Sequence, residues 1–278
     1  MAVLLGLLVA SSYGTADFFG GFASRRTSSE TVVLGVQVCA LVIGIAIALS
    51  FSLGDPVGAR DIGFGAAAGA VNVFGIALLY RGLATGRMNV IAPVSAVTAA
   101  VVTVAWGLLQ GERPGAIALT GVALAVIAVA IISREPAEHR AGGFAGGVAL
   151  AVIAGVALGA SFVLYSETTS GSGMWPVVAA RATSAPLVLL ALLALHRPLV
   201  ARPADRRFVA AAGLLEVVGT SLQLVAVREE LLTLVAPVAA LYPAATVLLA
   251  RVVLHESMGR ERLIGLLLAL VGLVLIAV

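Results

Sequence analysis

The chain has 278 residues, 61% hydrophobic and 11% charged, with a formal charge of +3 and a mean hydropathy of +1.12. So few charges cannot cover a water-soluble fold of this length, and the same apolar excess excludes a disordered chain; the solvent is lipid. Its 17 basic residues are all arginine and lie scattered between apolar runs without forming a stripe, so nucleic acid is not an expected partner.

Apolar runs of roughly 17 to 25 residues, bounded by charges or turn residues, predict ten transmembrane helices and an all-α integral membrane protein. In chain order they fall near 2–23, 29–53, 61–81, 88–109, 115–133, 143–165, 174–195, 207–227, 231–254 and 260–278. The first lacks a basic segment ahead of it, Arg25 being the first positive charge, and reads as a retained helix and not a cleaved signal. Cys39 stands alone inside the second run, which leaves no disulfide or cysteine-rich metal site and fits a small buried hydrophobe. Short connections carry turn residues, among them Gly54-Asp55-Pro56, Gly111-Glu112-Arg113-Pro114 and Gly171-Ser172-Gly173.

Most arginines occupy alternate connections: Arg25 and Arg26, Arg81 and Arg87, Arg134 and Arg140, then Arg197, Arg202, Arg206 and Arg207, and finally Arg260 and Arg262. The other connections hold Arg60, Arg113 and Arg228. The positive-inside rule then predicts a multi-pass protein of the cell membrane with the odd-numbered connections cytoplasmic and both termini outside.

Shifting the sequence on itself by 144 residues aligns it almost without gaps, with about a fifth of positions identical. Asp61 falls on Asp205, Phe64 on Phe208, Ala66-Ala67-Ala68-Gly69 on Ala210-Ala211-Ala212-Gly213 and Gly75 on Gly219. Ala92-Pro93-Val94 falls on Ala236-Pro237-Val238, Glu112 on Glu256 and Gly121 on Gly265. The expected domains are therefore two five-helix repeats, 1–137 and 138–278. An odd number of helices makes the second copy enter the membrane from the opposite side, the inverted-repeat architecture of many secondary transporters. The arginines agree: the second connection has one and its repeat mate, the seventh, has four.

In these features the chain resembles the drug/metabolite transporter superfamily, and within it the ten-helix EamA-type exporters. In each half the resemblance rests on an alanine-proline segment opening the fourth helix, an acid just after that helix and a glycine in the fifth. It extends to an arginine near the start of the second helix of a half, here Arg181, where the first half carries Gln37. It implies a central cavity between the halves and export of small metabolites.

Ionisable groups inside a span need a partner, a wet cavity or an interface. Arg251, about one turn from the end of the ninth helix, reads as an interfacial anchor. Glu216 lies about ten residues into the eighth helix, roughly 15 Å from either end, beyond snorkelling reach. Arg181 sits at a similar depth in the seventh, so the two form a candidate pair whose repeat mates are Gln37 and Asn72. Either they line a cavity that binds a charged substrate group or exchanges protons, or they clip two helices together. Asp17, with Tyr13 one turn earlier on the same face, belongs to a cytoplasmic gate or cation site, or else bonds Thr15, Arg25 or Arg26.

Pro93 and Pro237 follow Asn89 and Thr233 by four positions, and are expected in the first turn of capped helices or in a short unwound start. Tyr242-Pro243 lies deeper in the ninth helix, which makes Tyr242 a cavity-lining candidate. Trp106 and Trp175 read as interface anchors, and Glu112 and Glu256 as acids favoured at the starts of helices five and ten. The glycine pairs Gly65 with Gly69 and Gly155 with Gly159 report close packing, within the bundle or between two copies in a homodimer.

No metalloprotease, Gly-x-Ser-x-Gly or phosphate-loop motif is present, so neither an enzyme nor a nucleotide-driven pump is expected, and no cofactor or metal. The reading is a secondary transporter for small, amino-acid-like metabolites, with the lipid bilayer and protons as partners. Its rivals are a multidrug efflux pump of the same fold and a membrane enzyme or scaffold.

Overall fold

The computed structural model describes residues 2–111, 115–132, 144–228, 241–256 and 259–277. These residues form ten α-helices: α1 (Ala2–Ala23), α2 (Ser29–Phe51), α3 (Ala59–Thr85), α4 (Met88–Leu109), α5 (Ala116–Ile132), α6 (Phe144–Ser166), α7 (Trp175–Ala194), α8 (Arg206–Arg228), α9 (Tyr242–Val253) and α10 (Arg260–Ala277). The predicted helices are reproduced to within a few residues, except that α3 runs on to Thr85 and α9 is described only from Tyr242. By length and composition five are able to cross a membrane: α2, α3, α4, the Gly147–Ser166 part of α6, and α7.

Apolar interiors leave the backbone to bond itself, as lipid demands, and polar residues mark where the helices begin. The Ser28 hydroxyl accepts the Thr31 N–H at 3.3 Å to cap α2, and Asp61 in the first turn of α3 accepts the Gly58 N–H at 3.3 Å. Pro176 and Pro243 occupy first turns of α7 and α9, where a missing N–H costs little.

The packing follows the repeat. Helix α1 lies on α8 and α9, and correspondingly α6 lies on α3 and α4; α3 lies on α7 as α8 lies on α2. Helices α2 and α7 pack on each other, as do α5 and α10. Exchanging each helix with the one five places on maps these pairs onto themselves. Two groups result, α1 with α8 and α9, and α3 with α4 and α6, flanking the central pair α2 and α7.

Glycines set the closest approaches. A Cβ on Gly65 or Gly69 would strike the backbone of Pro176 or Ala180, so α3 meets α7 through main chain. Gly155 and Gly159 place α6 against Ser95 and Ala99 of α4 in the same way. Both glycine pairs are therefore used inside the bundle. Outward faces carry Val42, Leu49, Phe74, Leu190 and Leu248, all exposed, as a lipid-facing surface requires.

Gly69→Leu is expected to lower the thermal midpoint in detergent by several degrees, corresponding to about 1–3 kcal/mol of overpacking. Gly44→Leu, where an added Cβ meets nothing within 4 Å, should leave the midpoint unchanged. Equal midpoints for the two variants would contradict this interface.

Candidate functional site

Arg181 projects from the second turn of α7 into the interior, where it is 6% exposed. Its Nη2 lies 2.7 Å from Oε1 of Glu216 on α8, and its Nη1 donates to Oε1 of Gln37 on α2 at 2.9 Å. The Ser184 hydroxyl, one turn further along α7, donates to the same Gln37 oxygen at 3.2 Å. Gln37 is fully buried and Glu216 nearly so. One guanidinium thus joins α2, α7 and α8.

Gln37 and Arg181 are equivalent positions of the repeat, 144 residues apart. A residue touches its own repeat mate only where the axis relating the copies passes, so this bond lies on the seam of the molecule.

Around it stand groups from other helices. The Tyr13 hydroxyl of α1 donates to Thr220 Oγ1 of α8 at 3.2 Å, and Thr220 donates to the Glu216 carbonyl at 2.8 Å. The ring of Tyr13 meets that of Tyr242 edge-on with centroids 6.5 Å apart. Asp17, half-buried one turn beyond Tyr13, is within electrostatic reach of Glu216. Tyr80 of α3 and Tyr165 of α6 feel both Arg181 and Glu216. All four tyrosines of the chain therefore surround this cluster.

The matching place between α3 and α6 is neutral. Asn72 Nδ2 donates to the Ser161 hydroxyl at 3.4 Å, and Asn72 and Ser161 are the repeat mates of Glu216 and Asp17. One copy of the site holds an amide and a hydroxyl where the other holds two carboxyl groups.

Four buried atoms of these residues have no hydrogen-bond partner among the described residues: Gln37 Nε2, Arg181 Nε, Glu216 Oε2 and Asn72 Oδ1. Each costs about 1–3 kcal/mol if left so. The cluster therefore has donors and acceptors to offer a polar ligand.

The structure joins Arg181 to Glu216 as the depth argument expects, but the pairing of their mates is corrected. Gln37 does not meet Asn72, because the seam brings Gln37 to Arg181 and sends Asn72 to Ser161. The two arginines proposed as partners of Asp17 are engaged elsewhere: Arg25 with Glu256 at 2.9 Å, and Arg26 with Asp205 at 3.9 Å. Helix α4 is continuous through Pro93 and begins at Met88, so the ring lies in the second turn, not the first or an unwound start. Pro243, expected deep in its helix, lies in the first turn of the described α9. Pro237 and Glu112 lie outside the described residues.

Glu256 differs most from expectation. Among the described residues its carboxylate accepts the Met88 and Asn89 N–H groups at 3.4 and 3.3 Å, at the start of α4 and not of α10. Trp175 donates its indole N–H to the Ser52 carbonyl at 2.8 Å, joining α7 to the end of α2. Trp106 and Arg251 are exposed near the ends of α4 and α9. Sequence reasoning missed Tyr80, Tyr165 and Ser184; the scarcity of tyrosine in so apolar a chain was the one signal available for the first two.

The profile of the EamA-like transporter family matches residues 1–134 and again residues 145–278. The chain belongs to that family. Family members are transporters and not enzymes, so the protein is a multi-pass membrane transporter of the drug/metabolite transporter superfamily. No curated protein matches it in sequence. A solved crystal structure, described only as that of a protein, aligns with a TM-score of 0.62 at 18% identity, over 99% of this chain and 96% of that one. That likeness shows a shared fold alone.

In this EamA-like transporter, Arg181→Met strands the Glu216 carboxylate and is expected to cost about 3 kcal/mol of stability. The double variant Arg181→Met/Glu216→Leu should recover most of the loss in chemical denaturation in detergent. A double variant no more stable than the single one would show that the two charges do not depend on each other.

Proposed function

We propose that this chain is a secondary transporter of the cell membrane that exports small metabolites, including amino-acid-like solutes, by alternating access. All ten helices span the bilayer in this reading, the two five-helix halves are inverted, and both termini lie outside. The observation that carries it is the Arg181, Glu216 and Gln37 junction on the seam, with Asp17 beside it.

The charges supply the chemistry. Two carboxylates and one guanidinium, all ionised, leave one uncompensated negative charge in a region of low dielectric. A net negative charge placed there calls for a proton or a cationic group to neutralise it. When the site opens to one side, that proton or a cationic substrate group is exchanged. Arg181 holds Glu216 in place and offers its Nε–H to an anionic group. Tyr13 and Tyr242, edge to face near Asp17, close the site toward α9.

A protein whose Glu216 serves only as a clip has no reason to place unpaired donors and acceptors beside it. The supporting facts are the four buried atoms without partners among the described residues and the neutral copy at Asn72 and Ser161.

The test is flux in proteoliposomes. The purified protein should move amino acids or their analogues faster when a pH gradient is imposed, and Glu216→Gln or Asp17→Asn should reduce gradient-driven uptake at least tenfold while leaving exchange at equal pH measurable. Full gradient-driven uptake by both variants would sink the coupling role. For orientation, a cysteine at Arg206 should be shielded from an impermeant reagent added outside cells and one at Arg60 labelled; the opposite pattern inverts the topology.

A further inference from the structure

Glu256 is absorbed neither by the junction at the seam nor by the start of α10. Helix α9 ends at Val253, and His255 takes a left-handed backbone, with φ of +52°. That conformation is uncommon for a residue with a side chain, although histidine is among those that tolerate it. It is supported by the Glu256 N–H, which bonds back to the Ala250 carbonyl at 3.3 Å. The repeat mate of His255 is Gly111, which is also left-handed with φ of +85°. The turn is thus a repeated device that re-aims the chain directly after the helix. At Glu256 it brings a carboxylate that is 13% exposed over the start of α4.

Several polar contacts stay within one helix group. Thr246 with Gly14, Tyr13 with Thr220, and Thr27 with Asp205 tie together α1, α8, α9 and their connecting turns. Asn72 with Ser161 and Asp61 with Thr169 do the same for α3, α6 and theirs. Glu256 instead crosses from the α1, α8 and α9 group to the α4 amides of Met88 and Asn89. Arg25, at the end of α1, holds it there at 2.9 Å.

We infer that Glu256 is a latch closing the Arg25 end of the molecule: its carboxylate on the α4 N-terminus holds the two helix groups together, and Arg25 positions it. The physics suits a reversible lock. A carboxylate at a helix start gains from the dipole and from two unsatisfied N–H groups, yet it lies at the rim, where water can replace those bonds when the groups part. The repeat mate of Arg25 is Thr169, which serves Asp61 instead, so the arginine support belongs to this end. This inference rests on the alternating-access reading, with Glu256 as a positioning residue.

The test reads conformation without substrate. In a Cys39→Ala background, spin labels at Thr85 on α3 and Arg207 on α8 report the separation of the two groups at this end by pulsed electron resonance in lipid nanodiscs. The wild type should show a dominant short distance. Glu256→Ala should shift the ratio of short to long distances roughly tenfold toward long, Arg25→Ala by less, and Glu256→Asp should restore part of the closed population. If Glu256→Ala fails to fold, Glu256→Gln, which keeps the shape and loses the charge, reads the same equilibrium. A distribution unchanged in the folded Glu256 variant would overturn the latch. A shifted distribution in a protein that carries no flux would overturn transport and leave the latch; flux with unchanged distances would overturn the latch alone.

Discussion

The structure depends on a guanidinium that has nowhere to go. Arg181 is buried in the bundle, so it must be met where it is, and it is met by Glu216 from one side and Gln37 from the other. That requirement fixes the rotation of three helices at once, because α2, α7 and α8 must each turn a polar group toward the same point. In lipid, apolar faces gain little by choosing one neighbour over another. A few polar contacts and a set of glycines therefore carry the specificity that a hydrophobic core supplies in water.

Duplication explains how such a site can arise. Each half supplies the same framework, and the packing of one is repeated in the other. The halves differ beside the seam. Asn72 bonds Ser161 in one, where the other places Glu216 and Asp17. At the ends the copies stay alike, with Asp61 gripping Thr169 and its mate Asp205 gripping Thr27 at 2.9 Å.

Much of this was legible in the residues. Hydropathy located the helices, the 144-residue shift revealed the two halves, and depth alone paired Arg181 with Glu216. Contacts between helices were harder, because a repeat tells which positions are equivalent without telling which ones meet. Thus the repeat sets Gln37 with Asn72 as the copy of the Arg181 and Glu216 pair, although the seam joins Gln37 to Arg181. Glu256 was assigned to the helix next in sequence, and the left-handed turn at His255 that carries it to α4 has no signature in a non-glycine residue. Asp61 and Asp205 showed as a conserved register in the self-match, but their partners across the bundle did not.

The glycine contacts carry a mechanical consequence. Side chains that interdigitate must climb over one another before two helices can shift. Gly65 and Gly69 present α3 to α7 without such ridges, and Gly213 presents α8 to the Val36 backbone of α2 in the equivalent place. These faces lie where each helix group meets the central pair. They hold tightly against separation and offer little resistance to sliding, so in the proposed alternating access α2 and α7 serve as the bearing.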